Sequence, residues 1–190
     1  MILRQADFND VESTNDFVKS LDFCPTHVLH VPAVPVENKR FTELNWQDVE
    51  SQLNVQCRSL WQVLQAVMSK MSKAKFGNIV LILSSYTMGV PPKFLSAYVM
   101  AKYALTGFGK SLAVEYAPKN IRVNMISPSM MNTKFLSNVY GAVVEQSATS
   151  NPMKRNATPE DVAGLIEYLF SDKSAFVTGA NIPVTGGEIF

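Results

Sequence analysis

Apolar and polar residues follow two different spacings along the chain, and the two spacings alternate. Residues 78–83 form a mainly apolar run bounded by Gly77 and Ser84, which is typical of a central parallel strand covered on both faces. Residues 121–126 repeat this pattern and are soon followed by Pro128. We expect further short strands at residues 2–6, 27–31 and 182–184.

Apolar residues at steps of three and four predict helices between these strands. The longest helix begins after Asn45, which can cap it, and Asp48 suits its positive N-terminal end. Its apolar face comprises Trp46, Val49, Leu53, Cys57, Leu60, Trp61, Leu64, Val67, Met68 and Met71. A second long helix is expected over residues 94–117, where Pro118 stops it. We expect shorter helices over residues 9–21 and 158–170.

Alternating strands and helices predict α/β architecture in a single domain over residues 1–190. Two stretches lack a clear period. Residues 32–44 contain two prolines and are expected to form a loop. Residues 130–157 mix asparagine and serine with apolar side chains, and they are predicted to form a lid over a pocket.

Composition narrows the possible partners. The chain has 17 Lys and Arg against 16 Asp and Glu, for a net charge of +1, so it lacks the basic surface expected for nucleic-acid or anionic-membrane binding. Its longest purely apolar run, residues 79–83, is far shorter than the ~20 residues of a membrane span. With no basic and apolar leader at the N-terminus, a cytoplasmic location is expected.

The charged fraction, 17%, lies below the ~25% usual for soluble proteins, which favours a surface buried against another copy. Cys24 and Cys57 are too few for a disulfide framework or a cysteine metal site. His27 and His30 have no nearby Cys, Asp or Glu, so packing or a surface position explains them better than metal binding.

Tyr98 and Lys102 lie four residues apart on the second long helix and therefore share one face. An ammonium close to a phenol lowers a pKa that starts near ~10, which would let the tyrosine exchange a proton near neutral pH. Such a pair is also common on inert helix surfaces. Ser85 ends the most buried strand thirteen residues before Tyr98, at the sheet edge where parallel α/β folds form ligand crevices.

Residues 79–85 together with Tyr98-Val99-Met100-Ala101-Lys102 resemble the short-chain dehydrogenase/reductase family. Residues 107–115 and 121–128 are similar to that family's next helix and strand, particularly in its 3-oxoacyl carrier-protein reductase branch. Residues 151–187 resemble its C-terminal region, so the similarity runs from about Gln5 to the end. The resemblance implies a truncated Rossmann-like, doubly wound parallel sheet with helices on both faces.

The resemblance also implies four catalytic residues. Tyr98 would be the general acid/base, and Lys102 would lower its pKa while bonding the nicotinamide ribose. Ser85 would orient the substrate carbonyl or alcohol, and Asn54 would anchor a water linked to Lys102. A purely structural amide remains an alternative for Asn54.

The cofactor implied by the resemblance is NAD or NADP, and the sequence does not choose between them. Asp7 matches an adenine-contacting aspartate, although a surface carboxylate near a helix start remains the alternative. Met131 and Thr133 match positions that touch the nicotinamide amide and the phosphates. Ala33 and Pro128 would also lie beside the cofactor.

Several positions depart from the family pattern. The chain has no glycine before Gly77, so the Gly-rich turn that binds pyrophosphate is missing. Gly107-Phe108-Gly109 lies inside a helix and does not replace it. Val31-Pro32-Ala33 stands where the family usually has Asn-Asn-Ala-Gly, and Ser129 and Thr185 are milder changes.

If residues 2–6 correspond to the family's third strand, the first βαβα portion is missing. Residues 2–6 must then shift inward or detach from the sheet. Residues 27–31 become a bare edge, which invites pairing with another chain. The two long helices, the second rich in small residues, could pack against a second copy to form a homo-oligomer.

Three hypotheses follow. The first is an NAD(P)-dependent oxidoreductase acting on a small-molecule carbonyl or secondary alcohol. The second is a catalytically inactive dehydrogenase-like subunit that serves as an oligomerisation or partner-binding module. The third is that Met1 is not the true start, so that a Gly-rich strand, turn and helix would be encoded in frame upstream.

Overall fold

Four parallel strands form one sheet in the order β1-β2-β3-β4, as seen in a computed structural model that describes residues 2–190. The strands are β1 (His27–His30), β2 (Gly77–Ile82), β3 (Ile121–Pro128) and β4 (Asn181–Val184). The strands predicted at residues 27–31, 78–83, 121–126 and 182–184 are therefore confirmed to within two residues.

The strand predicted at residues 2–6 is wrong. These residues have no strand pairing and are mostly exposed, so they do not add to the sheet. A strand needs a partner for its backbone groups, and β1 pairs only with β2 within the described chain, from His27 opposite Asn78 to His30 opposite Leu81. As expected, β1 is an edge strand.

Six α-helices lie in the described residues: α1 (Val11–Lys19), α2 (Trp46–Leu53), α3 (Ser59–Ala74), α4 (Ser96–Tyr116), α5 (Gly141–Ser150) and α6 (Pro159–Phe170). The long helix predicted after Asn45 is α2 and α3 joined by a π-helical turn, Asn54–Arg58. The predicted capping by Asn45 is confirmed, since its side chain accepts a hydrogen bond from the Asp48 N–H at 3.0 Å.

The segment predicted to be irregular, residues 130–157, contains α5 and a short 3₁₀ turn, Lys134–Leu136. The prediction failed because α5 carries β-branched and hydroxyl residues and begins at Gly141, all weak helix formers. No side chain of α5 is fully buried, so it lacks the apolar face by which a helix is recognised in a sequence.

Helices cover both faces of the sheet. On one face, α3 and α4 pack Leu60, Met71 and Leu105 against Leu81 and Met125. On the other face, α6 packs Val162 and Leu169 against Val80, Ile82 and Ile126. The doubly wound α/β fold is thereby confirmed, with the core centred on β2 and β3.

Gly107 and Gly109 both lie inside α4, which agrees with the rejection of this pair as a phosphate-binding turn. Gly109 faces the sheet, where an added Cβ would lie 2.9 Å from Met125 Sδ. Gly107 faces open space. No helix of the described residues has the length and apolar character needed to span a membrane.

Candidate active site

A cavity of about 410 Å³ opens at the carboxyl edge of the sheet. It lies beside the ends of β2 and β3, at Ile82 and Pro128, and beside Val31, which follows β1. This is the edge at which α/β sheets bind ligands, and the volume lies within the usual range for small-molecule sites. We call it the carboxyl-edge cavity.

The carboxyl-edge cavity brings together six of the residues singled out in the sequence: Ala33, Tyr98, Lys102, Pro128, Met131 and Thr133. Three others do not line it: Asp7, Asn54 and Ser85. Most of the remaining lining is apolar, and much of it comes from the segment predicted to be a lid. The expectation that this segment covers a pocket is therefore met.

Tyr98 is held on the cavity wall by α4. Its ring centroid lies 6.0 Å from that of Phe135, on the 3₁₀ turn Lys134–Leu136. Burial raises the pKa of Tyr98 to about 12, while a hydrogen bond with Ser84 acts in the opposite direction. The predicted lowering of this pKa is therefore wrong in direction, because removal of the phenol from water outweighs the groups that stabilise a phenolate.

Lys102 lies one turn further along α4 and is only 3% exposed. Its Nζ donates a hydrogen bond to the Ile82 carbonyl at 2.9 Å and lies 5.6 Å from the centroid of the Tyr98 ring. The predicted closeness of the pair is confirmed. The ammonium, however, lies over the ring face, and burial lowers the pKa of Lys102 to about 8.

Ser84 and Ser85 have different surroundings. Ser84 has an extended backbone and lines the carboxyl-edge cavity, and its Oγ accepts a hydrogen bond from the Tyr86 N–H at 3.3 Å. At Ser85 the chain turns into the 3₁₀ turn Ser85–Thr87, and the Ser85 Oγ is buried without a hydrogen-bond partner. The hydroxyl that the structure places on the cavity wall is thus that of Ser84, where the sequence pointed to Ser85.

Asn54 lies at the start of the π-helical turn, where its carbonyl accepts the Ser59 N–H. Asp7 is exposed, and its Oδ1 accepts the Asn9 N–H at 2.9 Å just before α1. Both positions agree with the structural alternatives left open for these residues. Their proposed catalytic and adenine-binding roles stay predictions.

The sequence reasoning did not single out a buried polar group beneath β1. His30 Nε2 donates to the Gln56 carbonyl at 2.8 Å, and Gln56 Nε2 donates to Gln52 Oε1 at 2.6 Å. Burial lowers the pKa of His30 to about 4, so the imidazole is neutral at pH 7. The available signal for this buried polar group was two glutamines four residues apart in the predicted long helix. Such a pair is also common on exposed helix surfaces, so it does not indicate burial.

The residues present fit one end of a nicotinamide dinucleotide better than the other. Lys102 bonds only one backbone carbonyl, although an ammonium has three hydrogens to donate. It lies with Thr133 and Pro128 in the carboxyl-edge cavity, which suits a nicotinamide riboside. No glycine precedes Gly77 to bring backbone N–H groups close to a pyrophosphate, and in the loop after β1 Val31 and Pro32 have apolar side chains.

The fold and this cavity define a doubly wound α/β protein with a ligand site at its carboxyl edge. A family model described as enoyl-(acyl carrier protein) reductase matches residues 7–188. The 3-oxoacyl-(acyl-carrier-protein) reductase FabG of Buchnera aphidicola is 32% identical over 183 residues, covering 94% of this chain and 74% of the relative. Oxidoreductase UcpA of Escherichia coli K12 is 32% identical over 156 residues, covering 78% of this chain and 59% of the relative.

Solved structures of oxidoreductases resemble the chain as well. A 3-oxoacyl-(acyl-carrier protein) reductase with bound NAD from Brucella melitensis has a TM-score of 0.85 at 25% identity, covering 96% of this chain and 69% of that one. A 4-hydroxyisoleucine dehydrogenase complexed with NADH and succinate has a TM-score of 0.87 at 27% identity, covering 97% and 78%. The chain belongs to the short-chain dehydrogenase/reductase family, and it spans roughly three fifths to three quarters of the relatives named here.

Proposed function

We propose that this protein is an NAD(P)-dependent oxidoreductase that reduces a carbonyl or oxidises a secondary alcohol. The observation that carries the proposal is the meeting of Tyr98, Lys102 and a serine hydroxyl on the wall of the carboxyl-edge cavity. A phenol, an ammonium and a hydroxyl are the groups needed to bind a substrate oxygen and exchange a proton with it. Membership of the family supports this proposal.

Tyr98 exchanges the proton in the proposed reaction. With a pKa of about 12, its hydroxyl is protonated at pH 7 and can donate to the oxygen of a carbonyl as that oxygen gains negative charge. The nicotinamide, when bound, supplies or accepts the hydride. In reduction, the carbonyl carbon thus gains a hydride and its oxygen gains the Tyr98 proton, giving the alcohol.

Lys102 stabilises the negative charge that passes between substrate oxygen and phenol. Its pKa of about 8 leaves it largely protonated at pH 7, and its position over the Tyr98 ring places a cation beside the developing phenolate. We assign Ala33, Pro128, Met131 and Thr133 to the nicotinamide side of the site, from the resemblance and their place on the cavity.

The lining of the cavity indicates the kind of substrate. Beyond Tyr98, the wall is formed by apolar side chains of the lid segment and of the loop after β1, including Val36, Phe135 and Val139. Among the lining residues Lys102 and Lys134 carry charge, and none is acidic. We infer a small carbonyl or alcohol whose carbon carries an apolar substituent.

Titration of NADH and NADPH into the purified protein, followed by nicotinamide fluorescence, tests the proposal. We expect binding below millimolar concentration, and turnover of apolar ketones that falls about 100-fold or more in Tyr98→Phe with cofactor affinity nearly unchanged. Retained turnover in that variant would remove Tyr98 from its role. No binding up to millimolar cofactor would reject catalysis by this chain alone.

A second candidate is a non-catalytic subunit with the same fold. The observations that favour it are the absence of any glycine before Gly77, where the family has its pyrophosphate-binding turn, and the presence of Val31 and Pro32 in the loop after β1. The outer faces of α3 and α4 also expose large apolar side chains, including Trp61, Tyr103 and Val114. Either candidate would form a homo-oligomer through α3 and α4, and the open edge of β1 could bind a partner chain.

The single-domain organisation lacking the first βαβα portion, and the cytoplasmic location, stay predictions from the sequence. Neither is needed for the chemistry proposed above. Translation of the DNA upstream of Met1 separates a protein that begins here from one whose Gly-rich turn is encoded in the same frame.

A further inference from the structure

The C-terminal segment, residues 185–190, contacts the turn that follows β2. Within this segment Ile189 packs against Gly89. Gly89 lies between Tyr86 and Pro92 along the chain, and these two residues line the carboxyl-edge cavity, whereas Gly89 and Ile189 do not. We propose that Ile189 is a positioning residue that sets, through Gly89, the size of the apolar substituent that the cavity accepts. This inference rests on the proposed oxidoreductase function and deepens it.

The contact between Ile189 and Gly89 leaves no space for another carbon atom. A Cβ added at Gly89 would lie 2.7 Å from Ile189 Cδ1 and 3.5 Å from Ile189 Cγ1. Packed carbon atoms lie about 3.5–4.0 Å apart, so the first of these distances is too short. Gly89 does not have a positive φ, so its backbone would accept a side chain. The absence of a side chain at Gly89 therefore lets the C-terminal segment pack closely against the turn.

The turn at Gly89 is joined to the cavity wall on both sides. Before it, the Ser85 carbonyl accepts the N–H groups of Met88 at 2.9 Å and Gly89 at 3.2 Å, which closes the turn around Tyr86. After it, residues 91–92 are both proline, and their rings limit rotation of the backbone. A displacement of Gly89 therefore also displaces the residues of the cavity wall that lie on either side of it.

Hydrogen bonds at Thr185 hold the C-terminal segment in place. The Thr185 hydroxyl donates to the Ile189 carbonyl at 2.7 Å and accepts the Ile189 N–H at 3.3 Å. The Thr185 carbonyl accepts a hydrogen bond from Nδ2 of the buried Asn151 at 2.8 Å. Gly186 and Gly187 have φ values of 61° and 87°, which let the chain turn back toward Thr185. Segments near a terminus are poorly ordered unless they are tied down, and these bonds tie down Ile189.

Glu188 gives a second link between the C-terminal segment and the cavity wall. Burial raises the pKa of Tyr86, and the negative charge of the Glu188 carboxylate raises it further. This agrees with the packing of Ile189 on Gly89, which places the same segment beside the turn that carries Tyr86. If the C-terminal segment moves away, both causes weaken and the pKa of Tyr86 falls. The titration of Tyr86 thus reports the position of the segment.

The main test removes most of the Ile189 side chain and measures selectivity, defined as the ratio of kcat/KM for acetophenone to that for acetone. Ile189→Ala should loosen the wall formed by Tyr86 and Pro92, so that selectivity rises about tenfold, as for other small changes in an apolar pocket. The kcat for acetone and the affinity for NADH or NADPH should stay close to the wild-type values. Phe190→Ala, which changes the adjacent and fully exposed side chain, should leave selectivity unchanged.

A second test shows whether the effect arises from the contact itself. Gly89→Ala adds a Cβ that meets Ile189 Cδ1, and Ile189→Val removes that Cδ1, so the double variant moves one methyl group across the contact. The selectivity of the double variant should lie closer to that of the wild type than the selectivity of Gly89→Ala does. Two unrelated disturbances would add instead. Circular dichroism and urea unfolding show whether each variant is folded, and Ile189→Val replaces Ile189→Ala if the latter is not.

The titration of Tyr86 is a readout that does not depend on turnover. Ultraviolet absorbance of the phenolate, taken as the difference between each variant and the same variant carrying Tyr86→Phe, follows this one side chain. Ile189→Ala should titrate at lower pH than the wild type, because Tyr86 gains contact with water and the Glu188 carboxylate moves away. Phe190→Ala should titrate like the wild type.

The outcomes separate this inference from the proposed function. If the wild type reduces ketones and requires Tyr98, but Ile189→Ala keeps the wild-type selectivity, the inference is wrong and the function stands. A double variant that shows the sum of the two single effects also overturns the inference. If the wild type reduces no carbonyl, yet Ile189→Ala lowers the pH of the Tyr86 titration and Phe190→Ala does not, the positioning of the cavity wall by Ile189 is supported and the proposed function fails. An unchanged titration in Ile189→Ala counts against the inference in either case.

Discussion

The centre of the sheet and its β1 edge differ in how far their side chains are buried. All six residues of β2 and all eight of β3 are buried, and helices cover them on both faces. In β1, by contrast, Leu29 is 41% exposed and the buried group is the polar His30. Tyr98, Lys102 and Ser84 line the carboxyl-edge cavity from the centre, whereas Val31 and Ala33 line it from the loop after β1. The centre thus carries the side chains of the proposed chemistry.

The largest difference in stability is expected when leucines on these two neighbouring strands are replaced by alanine. Leu81 is 0% exposed in β2 and lies opposite His30 of β1, next to Leu29. Leu81→Ala should lower the free energy of unfolding by about 2–5 kcal/mol, because the cavity left behind is enclosed. Leu29→Ala should lower it by about 1 kcal/mol or less. Equal losses in urea unfolding would show that the edge is packed as tightly as the centre.

Acid should lower the free energy of unfolding through His30, the buried residue of the edge strand. His30 has a folded pKa of about 4 against an ordinary value of 6.5, so the unfolded chain binds the proton more readily. Stability is therefore retained above pH 6.5 and lost as the pH falls toward 4, by about 3 kcal/mol in all. Urea unfolding at several pH values measures this slope.

The control for this prediction is His30→Gln, which keeps a polar side chain but does not titrate. The variant should lose most of the slope between pH 6.5 and 4. If His30→Gln keeps the slope, the acid sensitivity arises from the carboxylates instead.

The contrast between centre and edge also explains what could be predicted from the sequence. The apolar runs of β2 and β3 were found because a strand buried on both faces needs apolar side chains whatever its neighbours are. Residues 2–6 also begin with two apolar side chains, but whether a segment pairs depends on a partner strand that a local pattern does not report. Likewise α5 has no buried side chain, so its sequence lacked a helical apolar face.

The candidate site was predicted as far as local geometry determines it. The four-residue spacing places Lys102 beside the Tyr98 ring because both lie on α4. The direction in which the pKa of Tyr98 is shifted depends instead on burial by Val36, Phe135 and Val139, which come from distant parts of the chain. Whether Ser84 or Ser85 lines the cavity depends on where the extended strand ends and the turn begins. Sequence patterns locate such a boundary only within a few residues.

A smaller effect is expected within α4, where one glycine faces the centre and the other faces outward. An added Cβ at Gly109 would lie 3.0 Å from Leu81 Cδ1, whereas nothing lies within 4 Å at Gly107. Alanine improves helix propensity by about 1 kcal/mol at both positions. The free energy of unfolding of Gly109→Ala should therefore fall below that of Gly107→Ala by about 1–3 kcal/mol, the cost of overpacking. Thermal or urea unfolding of the two variants measures it, and no difference would mean that the α4 contact with the sheet is loose.

Two substitutions test which surface joins copies of the chain. They should have the smallest effect on stability and the clearest effect on assembly. Leu29→Lys places a charge on the open edge and should change the free energy of unfolding by less than about 0.5 kcal/mol. Trp61→Lys places the same charge on the outer face of α3, at a side chain that is 52% exposed. If copies associate through α3 and α4, sedimentation velocity should show that Trp61→Lys dissociates them and Leu29→Lys does not. If Leu29→Lys dissociates the copies and Trp61→Lys does not, the interface is formed by β1. A second copy would then cover this edge, and a different partner chain could not bind there.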